Sequence, residues 1–236
     1  MHTLLDLRGP IPSFIHISDG KMGDAAALDL IMPEAGAIYV MDRGYVDFFR
    51  LDNFVLAGAF FVTRSKARLQ FIHLECLPVD RATGVRSDHL VRLRHESSLQ
   101  DYPAKLRHIH YVDPETGKSF IFLTNNLVLP ALTIALLYKN RWKVELFFKW
   151  IKQHLRIKHF YGTSENAVKT HIWIAICVYV LVAIVKKQIQ SERSLYSILQ
   201  ILSVNVFEKE PLHQVLTDFG SQNLEESICN QLEFRY

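Results

Sequence analysis

Cysteine is scarce and scattered in this sequence of 236 residues. There are three, Cys76, Cys177 and Cys229, with no CxxC pair and no Cys/His spacing of a structural zinc site. A disulfide framework and a zinc ribbon are thereby excluded, and a reducing, cytoplasmic setting is expected. Cys177 lies in an apolar stretch and is expected to be a small core residue. No basic-then-apolar leader opens the sequence. No uncharged apolar run exceeds the 14 residues of 172–185, short of the roughly 20 that span a bilayer. That run predicts a buried core helix, not a membrane anchor. The histidines form no HExxH pair, and there is no internal repeat or low-complexity tract. A net charge of +3 is too small to argue for nucleic acid by itself.

What is present is ordinary in bulk and uneven in detail. Hydrophobic residues make up 49% and charged ones 22%, as in a globular chain able to bury a sizeable core. The positive charge is concentrated. Residues 139–158 hold seven Lys or Arg and one Glu, while the segment after Phe207 is mainly acidic. This region has no Gly or Pro and repeats apolar residues at helical spacing, which predicts one long helix over residues 129–159. Rotating by about 100° per residue places Tyr138, Arg141, Lys149, Lys152 and Arg156 within about 40° of Glu145. Leu137, Phe147, Ile151 and Leu155 fall on the opposite, core-facing side. Two readings of the stripe stand. It is an intrahelical ion-pair ladder, Arg141–Glu145–Lys149, or a basic face for a phosphate backbone with one carboxylate to hold a hard cation.

Elsewhere the pattern is mixed α and β. Residues 2–9 and 12–18 read as a hairpin around a Gly-Pro turn. Asp24 caps a short helix to Leu30. Residues 37–41 are continuously apolar, as in a strand buried on both faces. Asp42 follows directly. Either it projects into a ligand site at the strand's carboxyl end, or it caps a helix over residues 46–56. Residues 58–64 form another inner strand. Residues 69–123 alternate in short runs between turn signals and predict β structure. Arg81, Arg86, Arg92, Arg94 and Arg107 there either face DNA or are charges on a solvated sheet. Ser164 caps a helix ending near Lys186 and Lys187, and residues 194–202 and 211–216 read as shorter helices. Trp142 either stacks on a base or is half buried.

Two stretches carry a family likeness. Tyr138-x2-Arg141-x3-Glu145-x6-Lys152 resembles the Y-R-E-K signature of IS4-family DDE transposases, and AIYVMDRGY, residues 37–45, resembles the segment with that family's second catalytic Asp. HTLLDLRGPIPSFI, AFFVTR, FLTNN and KHFYGTSENAVKTHIW are similar to the same family, so the resemblance covers nearly the whole chain. It implies an α/β fold with a ribonuclease-H-like core, a β-rich insertion and C-terminal helices. The corresponding divisions are residues 1–66 (partial core), 67–124 (insertion), 125–192 (the rest of the core) and 193–236 (helical region). It implies Asp42 and Glu145 as catalytic, metal-ligating acids, with Tyr138, Arg141 and Lys152 on phosphates. Lys149 and Arg156 join them as DNA contacts from the stripe geometry alone. Implied too are Mg²⁺, with Mn²⁺ as a substitute, DNA ends and target DNA as partners, a homodimer on paired ends, and a prokaryotic, nucleoid-associated setting.

The family's first catalytic Asp lies upstream of the motif HTLLDLRG, which here adjoins Met1. The resemblance therefore implies a core without its first acid and first strand, leaving the strand of residues 37–41 at a raw edge. Three activities follow from it: metal-dependent cleavage and strand transfer, a catalytically silent fragment that binds DNA or pairs with a full-length copy, and a nuclease without transposition.

Overall fold

The structure is a computed structural model and describes residues 1–9, 11–18, 21–155, 162–205 and 214. It divides into two compact units. One comprises residues 1–7 and 13–146, the other residues 8–12 and 147–236.

The first unit is built on two sheets. Strands β1 (His2–Asp6) and β2 (Ile11–His16) form a two-stranded sheet, the expected hairpin. A 3₁₀ turn, Asp24–Leu30, follows. Its cap position is Gly23, with no side-chain hydrogen bond, so Asp24 starts the turn without capping it. Strand β3 (Ile38–Val40) leads to Asp42, whose Oδ1 accepts the Arg43 N–H at 2.6 Å and caps a 3₁₀ turn, Arg43–Tyr45. Helix α1 (Phe48–Leu56) begins two residues later than the sequence predicts. Its cap is Asp47, which accepts the Arg50 N–H. This leaves the second carboxylate oxygen of Asp42 free of capping duty.

Strand β4 (Phe60–Arg64) runs parallel to β3. Strands β5 (Phe71–Cys76) and β6 (Val85–Leu93), helix α2 (Glu96–Asp101), and strands β7 (Leu106–Val112) and β8 (Ser119–Thr124) complete the β-rich stretch. These strands make no sheet of their own. They extend the first one in the order β3-β4-β8-β7-β6-β5, with β8 antiparallel to β4. Phe61 and Val62 show why the sheet is covered on both faces. Phe61 packs with Leu51 and Phe54 of α1, while Val62 packs with Ile109, Phe122 and, from the next helix, Ile134. Adjacent strand residues point to opposite faces, so two helical layers bury both.

Among the arginines of the β-rich stretch, Arg81, Arg86, Arg92 and Arg94 are exposed. Arg107 is not. It is 4% exposed and pairs with Asp88, 3% exposed, through two of its nitrogens. Its remaining nitrogen donates to the carbonyls of Asn126 and Leu129. The loop ahead of the next helix hangs on this buried cation, so Arg107 holds the fold together and presents nothing to DNA.

The single long helix expected over residues 129–159 is two helices, α3 (Ala131–Lys139) and α4 (Trp142–His154). At the junction Asn140 N–H bonds to Leu137 O and Arg141 N–H to Tyr138 O, three-residue bonds that tighten the turn. The Asn140 side chain also donates to Leu136 O and so competes for a helical carbonyl. Helical propensity over the stretch is high, but Asn140 supplies a local alternative that the tertiary packing selects.

In the second unit Phe147 and Ile151 of α4 are buried, as the periodicity predicts. Helix α5 (Glu165–Gln188) is capped by Ser164, which accepts the Ala167 N–H, and carries Lys186 and Lys187 in its last turn. Tyr179 packs edge-on against Phe147 at 4.8 Å and Trp150 at 5.1 Å. Val182 packs with Ile198 and Ile201 of α6 (Leu195–Val204). The expectation of a buried core helix holds for one face only. Trp173, Ile174, Leu181 and Ile184 are exposed, and so is Cys177, expected in the core. At 24 residues α5 is long and apolar enough to cross a membrane by length and composition alone. Arg156, Cys229 and the helix expected over residues 211–216 lie outside the described residues, apart from Gln214.

Candidate active site

Because β3 and β4 are parallel, their carboxyl ends lie at one edge of the sheet. Asp42 follows the first, and Arg64 ends the second. Arg64 Nη2 stands 3.4 Å from Asp42 Oδ1. Arg141, placed in the tight turn between α3 and α4, reaches the same carboxylate. Its Nη1 is 3.5 Å from Asp42 Oδ2, and its Nη2 is 2.7 Å from Glu145 Oε1. One guanidinium thus spans two carboxylates that are far apart in sequence. The ion pair Arg141–Glu145 is the bland ladder reading made real, but its first member also holds Asp42.

Tyr138 does not lie on the α4 stripe. The break at Asn140 turns it inward, where it is 7% exposed and packs on Phe122 with ring centroids 4.9 Å apart. The guanidinium carbons of Arg64 and Arg141 lie 6.0 and 5.8 Å from its ring centroid, within cation–π range. Tyr138 Oη, Arg64 Nε and Arg141 Nε are buried without a hydrogen-bond partner among the described residues. Three such atoms at one place are uncommon, because native proteins satisfy nearly all buried polar groups. Burial raises the Tyr138 phenol pKa, partly opposed by the Arg64 charge. Burial works against the charge on Arg141, yet the hydrogen bond to Glu145 and the nearby Tyr138 and Asp42 hold its pKa above the usual value.

Beside Asp42 opens a cavity of about 550 Å³, lined by Asp24, Arg43, Tyr45, Lys66 and Arg141 among others. Three cations and two carboxylates therefore face it. Lys66 is steadied by donating to Val46 O at 2.9 Å. Tyr45 accepts or donates at His2 Nδ1, 3.1 Å away. Its phenol pKa is raised by burial first and then by the negative charges of Asp24 and Asp42. Sequence reasoning missed Arg64, Lys66 and Asp24. Arg64 was findable, since it ends a buried parallel strand as Asp42 follows another. Nothing local in the sequence marks Asp24 or Lys66.

Lys149 and Lys152 are exposed on α4, four and seven residues after Glu145, and make no ion pair among the described residues. Trp142 is 56% exposed, which sets aside a place in the core. The carboxylates Asp42 and Glu145 suit a hard divalent cation in kind. No group of three or more metal-ligating side chains converges among the described residues. The residues described do not by themselves complete a two-ion site.

The sequence matches a family model described as the transposase DDE domain over residues 1–181. Three relatives agree. The chain is 36% identical over 188 residues to a protein of Sinorhizobium fredii named as a transposase (y4zB), covering 78% of this chain and 52% of that one. It is 31% identical over 165 residues to a Geobacillus stearothermophilus protein named as the transposase of insertion sequence element IS5377, covering 69% and 41%. It is 27% identical over 173 residues to a Synechocystis protein named as the transposase of insertion sequence element IS4SA, covering 69% and 44%. The match thus spans about half the length of these curated relatives or less. On the family model and the identities together, the chain belongs to the DDE transposase family.

Proposed function

We propose that this chain carries part of the active site for metal-dependent cleavage and strand transfer at the ends of an insertion sequence, on a ribonuclease-H-like core. The observation that carries the reading is the shared hold of Arg141 on Asp42 and Glu145 at the carboxyl edge of a parallel strand pair. Asp42 and Glu145 would hold the Mg²⁺, or Mn²⁺ in its place. Bound there, the ion would polarise a phosphoryl oxygen and lower the pKa of a bound water.

The protein's own groups have separate tasks. Arg43, Lys66 and Arg141 line the cavity as cations and draw in a phosphate backbone. Arg141 neutralises the two carboxylates, and would be free to meet phosphate if a cation took over that task. Tyr138 fixes the height of both guanidinium groups from below. Lys149 and Lys152 add non-specific attraction along α4. On this reading the protein would work in the cytoplasm, at the nucleoid, as a dimer on paired ends.

A second reading is favoured by the absence of a third converging ligand among the described residues. In it the 236 residues bind DNA without cutting, or pair with a full-length copy and interfere with it. The two readings separate on duplex DNA taken from the flanks of the element that encodes the chain. The purified chain is expected to bind this DNA and leave it uncut with Mg²⁺ or Mn²⁺. A longer form carrying the family's first acid is expected to cut it and to join the ends to target DNA. Glu145→Gln in that form should abolish cutting and spare binding. Robust cutting by the 236 residues alone, lost on Glu145→Gln, would show that another acid fills the first position. Cutting without joining would make the protein a nuclease.

A further inference from the structure

Helix α5 has one face packed and one face bare. Tyr179 and Val182 meet α4 and α6, and Ala175, Ile176 and Ala183 are buried beside them. The exposed positions include Thr170, Ile174, Cys177, Leu181, Ile184 and Gln188. Successive members are four, three, four, three and four residues apart, the alternation of a coiled-coil seam. Ile174 is 57% and Leu181 61% exposed, with Trp173 exposed at their border. At 1.5 Å per residue the seam is about 27 Å long.

Charge is kept off this stripe. Residues 170–185 contain no Asp, Glu, Lys or Arg. Glu165 stands in the first turn of the helix, and Lys186 and Lys187 in the last. Nothing along the middle repels a like surface, and contiguous apolar patches of this kind mark contact sites. A bilayer is a poor occupant. The opposite face of α5 is held by α4 and α6, which a single span would have to shed.

We propose that this stripe is a homodimer interface, two copies of the chain packing α5 against α5 antiparallel. A heptad seam is completed by a second seam, and the same helix on another copy supplies one of equal length. With Trp173 the stripe offers on the order of 500 Å² per copy, or roughly 1,000 Å² in a pair, the lower limit for a specific interface. The dimer is therefore weak, with a Kd on the order of micromolar. Orientation follows from the ends. A parallel pair sets Lys186 and Lys187 of both copies side by side and aligns the helix dipoles. An antiparallel pair puts the acidic end of each helix near the basic end of the other. It also matches the layers in kind: Thr170 lies opposite Gln188, Ile174 opposite Ile184, and Cys177 opposite Leu181. The proposal rests on the reading of a dimer on paired ends and names the surface.

The test is sedimentation equilibrium of the whole chain from about 1 to about 100 µM, a range that brackets the expected Kd. Wild type is expected to pass from monomer to dimer. Ile174→Lys and Ile184→Glu are each expected to weaken the dimer about tenfold or more. Both replace exposed residues, so far-ultraviolet circular dichroism should match wild type. Combined in one chain, they set opposite charges across an antiparallel seam and like charges across a parallel one, so the dimer should return. Misfolding is not rescued in this way. A wild type that stays monomeric throughout overturns the proposal, as do single variants that dimerise like wild type and a double variant that stays monomeric. Monomer that instead sediments with phosphatidylcholine vesicles gives the face to a membrane and likewise overturns it. Neither DNA nor metal enters the assay, so its failure leaves the cleavage reading standing.

Discussion

Removing the guanidinium of Arg107 is expected to be among the most damaging single changes in the first unit. Arg107→Met leaves the Asp88 carboxylate buried without its cation, at 3% exposure. Breaking a buried pair from one side costs about 3–5 kcal/mol. The carbonyls of Asn126 and Leu129 also lose their donor, adding about 1 kcal/mol each. The sum is about 5 kcal/mol or more, comparable with the whole stability of a domain at about 5–15 kcal/mol. The double variant Arg107→Met, Asp88→Leu removes the stranded charge and keeps only the carbonyl deficit. It should recover most of the loss and remain about 2 kcal/mol below wild type. Urea unfolding followed by circular dichroism reads both, as shifts in midpoint at constant slope. A loss under about 1 kcal/mol in the single variant would refute the reasoning, as would a double variant no more stable than the single.

Other outcomes follow from the same structure. Lys149→Ala and Lys152→Ala should each weaken DNA binding for all sequences and lower the salt slope by roughly one; fluorescence anisotropy across a NaCl series showing the wild-type slope would make them a solvated face. Gly84 has φ +91°, and a Cβ there would collide with Val112 O. Gly84→Ala should therefore destabilise by more than about 1 kcal/mol in the same urea assay, and an unchanged midpoint would contradict the strain. His108 is held down to about 4, first by burial and then by the neighbouring His73, His89 and His110. Its folded pKa lies below its unfolded value, so stability should fall as pH drops from about 6.5 toward 4 and level off below. His108→Gln should flatten that slope, and an identical pH profile would assign the slope elsewhere.

Much of the fold was legible from local chemistry. The apolar run of residues 37–41 with Asp42 behind it marks a strand, half-buried and not fully buried as expected, whose carboxyl end meets Arg64 and Arg141 through Asp42. The Ser164 cap marks a helix start where the structure has it. The errors arose where partners distant in sequence decide. Asn140 looks compatible with a continuous helix, and only packing of Tyr138 on Phe122 shows that the turn must tighten there. Arg107 sits among surface-like arginines, and its burial depends on Asp88 one strand away. Cys177 lies in an apolar helix whose second face is exposed, a fact that periodicity cannot reveal when every position is apolar. In the candidate site, Asp42, Arg141 and Glu145 could be chosen from motif and strand-end logic. Arg64 could have been added by the same strand-end logic, while Lys66 and Asp24 join them through the fold alone.

The central claim is that Asp42 and Glu145 serve one divalent cation in the presence of DNA. Electron paramagnetic resonance of free Mn²⁺ measures this directly, on the chain mixed with duplex from the flanks of its element. The account predicts DNA-dependent uptake of Mn²⁺ that Asp42→Asn and Glu145→Gln each abolish, with no further loss in the double variant and with metal-free DNA binding retained. Uptake untouched by either substitution, or losses that add as for two independent sites, would contradict it.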